Sequence, residues 1–96
     1  MNPYSVHKLP PDILRETAAK HRALRKHLGF SQVELADRAG VSVGSLRRFE
    51  QTGEISFASL LRLSHVLHRL EDFEQLFDLP DNLERIEKLF AKTVKE

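Results

Sequence analysis

Cysteine is absent from this 96-residue chain, which excludes disulfides, thiolate nucleophiles and zinc-finger metal sites. Long apolar runs are missing too. The longest is a few residues, far short of the ~20 needed to span a bilayer, so no membrane partner is expected. The opening stretch MNPYSVHKLPPD holds no apolar segment of the signal-peptide kind, and a cytoplasmic protein is the default expectation. There is no phosphate-binding glycine loop, no pair of carboxylates in a defined site and no nucleophile–base arrangement. The chain is therefore expected to be neither an enzyme nor a cofactor binder. His65 and His68 stand three apart, a spacing that suits two metal ligands, but no third ligand follows at a matching interval and no metal site is expected.

What is present is an ordinary globular composition, 41% hydrophobic and 30% charged, in a chain with room for one small domain. Domains of this size often recover missing burial by oligomerising, so a homodimer is an expectation from size alone. The net charge of +1 conceals an asymmetry. Residues 1–50 carry nine Lys/Arg and five Asp/Glu, a surplus of +4, whereas residues 51–96 carry six and nine, a deficit of −3. A basic half beside an acidic half suggests one face for an anionic partner and another for something else.

Residues 1–11 read as an arm, because Asn2-Pro3 and Pro10-Pro11 interrupt a stretch without hydrophobic period. Strong helix formers then run over residues 12–28, with Leu14, Ala18, His21, Leu24 and Leu28 at three- and four-residue steps, and Gly29 stops them. Ser31 and Glu34 form an S-x-x-E capping box that starts a short helix ending at Gly40. Ser42 caps another, through about Gln51, which Gly53 ends. A fourth covers residues 56–67, burying Phe57, Leu60, Leu61 and Leu67 or their neighbours. One or two further turns over residues 71–77 contribute Phe73, Leu76 and Phe77. Beyond Pro80-Asp81 a last amphipathic stretch, residues 82–95, sets Leu83, Ile86, Leu89 and Phe90 largely on one side. No alternation of the strand kind persists, and the expected fold is all-α.

The segment SQVELADRAGVSVGSLRRFEQTG, residues 31–53, concentrates the functional signal. Leu35 and Ala36 on its first helix, with Leu46 and Phe49 on its second, can face one core. Ala36 is small enough for a close crossing, Gly40 permits a sharp turn and Val41 plugs the angle. That is a helix-turn-helix, whose second helix enters the DNA major groove. Val43, Gly44, Arg47 and Arg48 then point outward, and Ser42 and Ser45 lie at the margin, where hydroxyls and free helix-start N–H groups can hold phosphates.

The pattern R-x-L-R-K-x-x-G-F-S-Q-x-x-L-A-x-x-x-G-V-S-x-x-x-L-x-x-x-E-x-x-G, between Arg22 and Gly53, resembles the Cro/C1-type (XRE) helix-turn-helix family. The resemblance covers about residues 19–77. It implies a five-helix DNA-binding domain over residues 12–79, with an extra C-terminal helix or tail over residues 80–96. It also implies a phosphate contact at Gln32, base-facing positions at Val43, Gly44 and Arg48, and a backbone contact at Ser45. Arg25 and Glu50 match a pair that braces the first helix against the third. Val43 and Gly44 depart from the polar residues many members use for readout, since glycine reads nothing by side chain and valine only a thymine methyl or sugar edge. Base readout then falls on Arg48 or Arg47, or on DNA shape.

The block GSLRRFEQTGEISFASLLRLSHVLHRLEDFEQLF is similar to HipB-like antitoxins, the small regulators that accompany HipA-type kinase toxins. That resemblance implies a dimer on its own palindromic operator, repressing its operon and docking the kinase. A stand-alone XRE-family regulator without a toxin, or a helix-turn-helix used only for protein interaction, remain alternatives. The stripe Leu83, Ile86 and Phe90 suits either core packing or a dimer or partner interface.

Overall fold

Prolines open the first helix. Pro10 and Pro11 occupy its first turn, where a missing N–H costs nothing, and the Asp12 carboxylate reaches back to accept the Leu9 N–H at 2.9 Å. In this computed structural model, which describes residues 7–80 and Glu87, α1 accordingly spans Pro10–His27. It starts two residues ahead of the expected boundary at residue 12, so the last two residues of the expected arm are helical. The pattern-based reading missed them because hydrophobic periodicity only begins further on.

Four more helices follow among the described residues, with no strand: α2 Gln32–Ala39, α3 Val43–Thr52, α4 Phe57–Val66 and the single turn α5 Glu71–Glu74. Three serines start the middle helices in the same way. Ser31, Ser42 and Ser56 each accept, on the side-chain oxygen, the N–H three residues on, and each such cap stabilises by about 1 kcal/mol. Ser31 belongs to a full capping box, with Glu34 accepting the Ser31 N–H at 3.1 Å. Those hydrogen bonds hold the fully exposed Glu34 carboxyl below its usual range.

The core comprises Ala18, Leu35, Ala36, Val41, Leu46, Phe49, Leu63 and Leu67, and it joins α1 to α3, α2 to α3 and α2 to α4. Ala36, 2% exposed, lets α2 and α3 approach closely. The Val41 N–H returns to the Ala36 carbonyl at 3.0 Å across the left-handed Gly40, so the turn between the two helices is closed by backbone as well as by packing.

The buried stripe of α1 is narrower than its pattern suggests. Ala18, His21 and Arg25 are buried, whereas Leu14 and Leu28 are 42% and 45% exposed. Leu76 and Phe77 likewise stay out of the core. α5 ends at Glu74, and Phe77 follows at a positive φ with its ring in solvent. Phe73 does pack, edge-on to Phe57 at 5.9 Å, and leaves Phe57 half in solvent. The expected C-terminal helix, with Leu83, Ile86 and Phe90, lies outside the described residues.

Candidate nucleic-acid interface

Helix α3 turns Leu46 and Phe49 into the core, and the helical repeat then forces Gly44, Ser45, Arg47 and Arg48 onto the opposite, exposed side. Val43 is half-buried against the core, so it offers less of its side chain outward than its position on the helix suggests. A Cβ built on Gly44 would meet nothing within 4 Å, which makes this the barest point of the exposed face. At the start of α3, Ser42 Oγ donates to Ser45 Oγ at 2.8 Å while accepting the Ser45 N–H at 3.1 Å. Both hydroxyls remain at the surface beside the helix N-terminus, where free N–H groups favour anions.

The inner side of α3 carries an ion pair. Arg25 Nε donates to Glu50 Oε2 at 2.6 Å and Nη2 to Oε1 at 3.0 Å, with side chains only 7% and 3% exposed. A third donor, Nη1, holds the Phe30 carbonyl at 2.8 Å and so fixes the turn from α1 to α2. Burial pushes the Glu50 carboxyl up, but hydrogen bonds from Arg25 and Gln32, with the charges of Arg25 and Arg22, outweigh it and leave the group below its usual range. A bidentate, nearly dry pair of this kind costs about 3–5 kcal/mol when one partner is removed, since the other is left as an uncompensated buried charge.

That pair extends to the surface through Gln32. The Gln32 amide donates from Nε2 to Glu50 Oε1 at 2.9 Å and accepts from Arg47 Nε at 3.2 Å. The resulting series, Arg25–Glu50–Gln32–Arg47, ties α1, α2 and α3 together and ends on an exposed guanidinium. Gln32, which the family resemblance assigns to phosphate, therefore has its carbonyl oxygen and one amide hydrogen engaged within the protein, with one N–H left to offer. Arg48 is held differently, in an exposed contact with Glu54. Sequence reasoning missed Glu54. It lies six residues from Arg48 across a chain reversal, and no helical spacing signals that pairing.

Behind the interface, His21 stacks edge-on to Phe49 at 5.3 Å, and its Nε2 lies 3.4 Å from Ser64 Oγ. Burial lowers its pKa, the Glu50 charge pulls the other way without offsetting burial, and the Arg25 charge adds a smaller lowering effect. His21 thus serves the core as a neutral ring. No cluster of three potential metal ligands occurs among the described residues, and none of their helices is long and apolar enough to cross a membrane.

Two short helices closed by a glycine turn, the second presenting an exposed face with two arginines, define a helix-turn-helix protein. The family comparison agrees: the model described as helix-turn-helix matches residues 22–72, more than half of the chain. The chain belongs to the Cro/C1-type (XRE) helix-turn-helix family of DNA-binding regulators. No curated protein and no solved structure matches it.

Proposed function

We propose that the protein is a sequence-specific transcriptional repressor that binds as a homodimer to a palindromic operator upstream of its own gene. The observation that carries this reading is the exposed face of α3, where Gly44, Ser45, Arg47 and Arg48 stand free of the core on a helix buttressed from behind by the Arg25–Glu50 pair. In the docked complex α3 lies in the major groove. Val43 and Gly44 make the closest approach, and Arg48 offers two donors to a guanine edge. Gln32, Ser42, Ser45 and Arg47 hold phosphates. One recognition helix reads about four base pairs, and a dyad with half-sites ~34 Å apart supplies the rest of the specificity. Leu83, Ile86 and Phe90 are the residues we assign to the dimer contact.

The finer reading is an antitoxin that also docks a HipA-type kinase encoded beside it. Besides the sequence resemblance, one surface favours a protein partner: Leu76, Phe77 and Leu79 are exposed among the acidic residues Glu71, Asp72, Glu74 and Asp78. Exposed apolar side chains interspersed with carboxylates, of which Asp72 is paired with Arg69, suit a basic protein surface. The test is binding of the purified chain to its own upstream DNA and to an unrelated duplex across a salt series. A preference of about 10³-fold or more, log K falling with log salt and a two-fold symmetric footprint are expected. Weak, equal binding to both duplexes contradicts the repressor reading. Absence of a complex with the neighbouring kinase, by gel filtration at low salt, removes the antitoxin role and leaves a stand-alone regulator.

A further inference from the structure

Arg47 and Arg48 are adjacent, yet they are restrained by opposite chemistry. A neutral amide holds Arg47, which keeps its full charge. A carboxylate holds Arg48: Nη2 donates to Glu54 Oε1, with the side chains 68% and 56% exposed. Glu54 is not there by chance encounter of two long side chains alone, because the backbone between them is fastened. Thr52 Oγ1 donates to the Arg48 carbonyl at 2.8 Å and accepts the Glu54 N–H at 3.1 Å. Gly53, left-handed at φ +85, reverses the chain so closely against α1 that a Cβ there would lie 2.6 Å from the Leu14 backbone. Glu54 is thereby delivered to Arg48 by the fold.

We infer that Glu54 is a positioning residue for DNA discrimination, acting through Arg48. The inference rests on the DNA-binding reading above. A guanidinium has five N–H donors, and Glu54 uses one of those on Nη2. Whichever hydrogen that is, one complete two-donor edge stays available: Nη1 with Nη2, or Nε with Nη2. Such an edge is what guanine O6 and N7 accept. Glu54 therefore restricts the rotamers of Arg48 without consuming its capacity for bidentate readout. Its negative charge also opposes close approach of any phosphate, and a guanidinium engaged by a carboxylate is a poorer phosphate ligand than a free one. Every complex loses from the charge, and specific complexes alone gain from the restriction.

The test uses the full chain, a duplex selected by the wild-type protein from a random pool, and an unrelated duplex. Glu54→Gln is expected to tighten binding to the unrelated duplex by about threefold at low salt and to weaken the selected one by about as much. The specificity ratio then falls by about tenfold. In an Arg48→Ala background the same substitution should leave that ratio unchanged, since the guanidinium it positions is gone. Equal tightening on both duplexes would overturn the inference, making Glu54 a repelling charge only. So would a ratio change that persists without Arg48. If the wild-type chain enriches no sequence from the pool, the DNA-binding reading itself fails, which is a separate result.

Discussion

At the scale of single residues, Gly44 separates folding from function most cleanly. A glycine near the start of a helix gives up about 0.5–1 kcal/mol relative to alanine, and here the space above it is open. Gly44→Ala should therefore stabilise the free protein by up to about 1 kcal/mol, read from denaturant unfolding. The same methyl group would stand between α3 and the floor of the groove, so affinity for the operator should fall. A stabilised variant with undiminished DNA affinity would place the closest approach elsewhere on α3. Arg25 and Glu50 belong to the same scale with the opposite logic, since their pairing holds the scaffold and reaches the surface through Gln32 and Arg47 and through the exposed Arg22, 3.7 Å from Glu50.

Among the elements, what could be read from sequence was what is decided locally. Serine caps, the Ser31–Glu34 box and the glycines after α1, α2 and α3 each act within a few residues, and these starts and stops stand within about a residue of expectation. What depends on neighbours was harder to see. Leu14 and Leu28 fit the period of α1, yet they remain 42% and 45% exposed, Leu14 even though its backbone lies against Gly53 at the end of α3. Leu76 and Phe77 follow a helix of only one turn, too short to carry them inward. At the interface, the outward set on α3 follows from helix period alone, but the Gln32–Arg47 and Arg48–Glu54 contacts require knowing how the chain reverses at Gly40 and Gly53. Gly53 shows how tightly that second reversal is built. Gly53→Ala combines a left-handed backbone, unfavourable for alanine by about 1–2 kcal/mol, with a clash against the Leu14 backbone. The expected loss is at least about 2 kcal/mol, measured by urea unfolding, and a loss below about 0.5 kcal/mol would mean that α1 yields easily at this contact.

For the whole molecule, two buried groups make stability depend on pH in the same direction. The folded state lowers the pKa of His21, chiefly through burial, so the unfolded chain takes up that proton first as pH falls below about 6.5. Its contribution is complete above that value and is lost as pH falls through the folded-state pKa. Glu50, also lowered, contributes fully above its unfolded value, about 4.5, and that contribution is lost further down. Unfolding free energy should be level from about pH 7 to 8 and decline in two stages below, with His21→Leu removing the upper stage. An unchanged profile in that variant would mean that His21 protonates freely in the fold. The basic and acidic halves of the chain, +4 and −3, set the larger pattern: an anion-seeking face around α3 and an acidic, partly apolar surface around α5. The exposed face of α3 is the surface proposed to read DNA. The most direct test of that proposal is an amide chemical-shift map of the labelled full chain titrated with its own upstream duplex. The largest shifts are expected on Gln32 and on residues 42–48, with Arg47 and Arg48 side-chain signals moving alongside them. Shifts confined to the acidic surface around α5, or absent from α3 at saturating DNA, would contradict it.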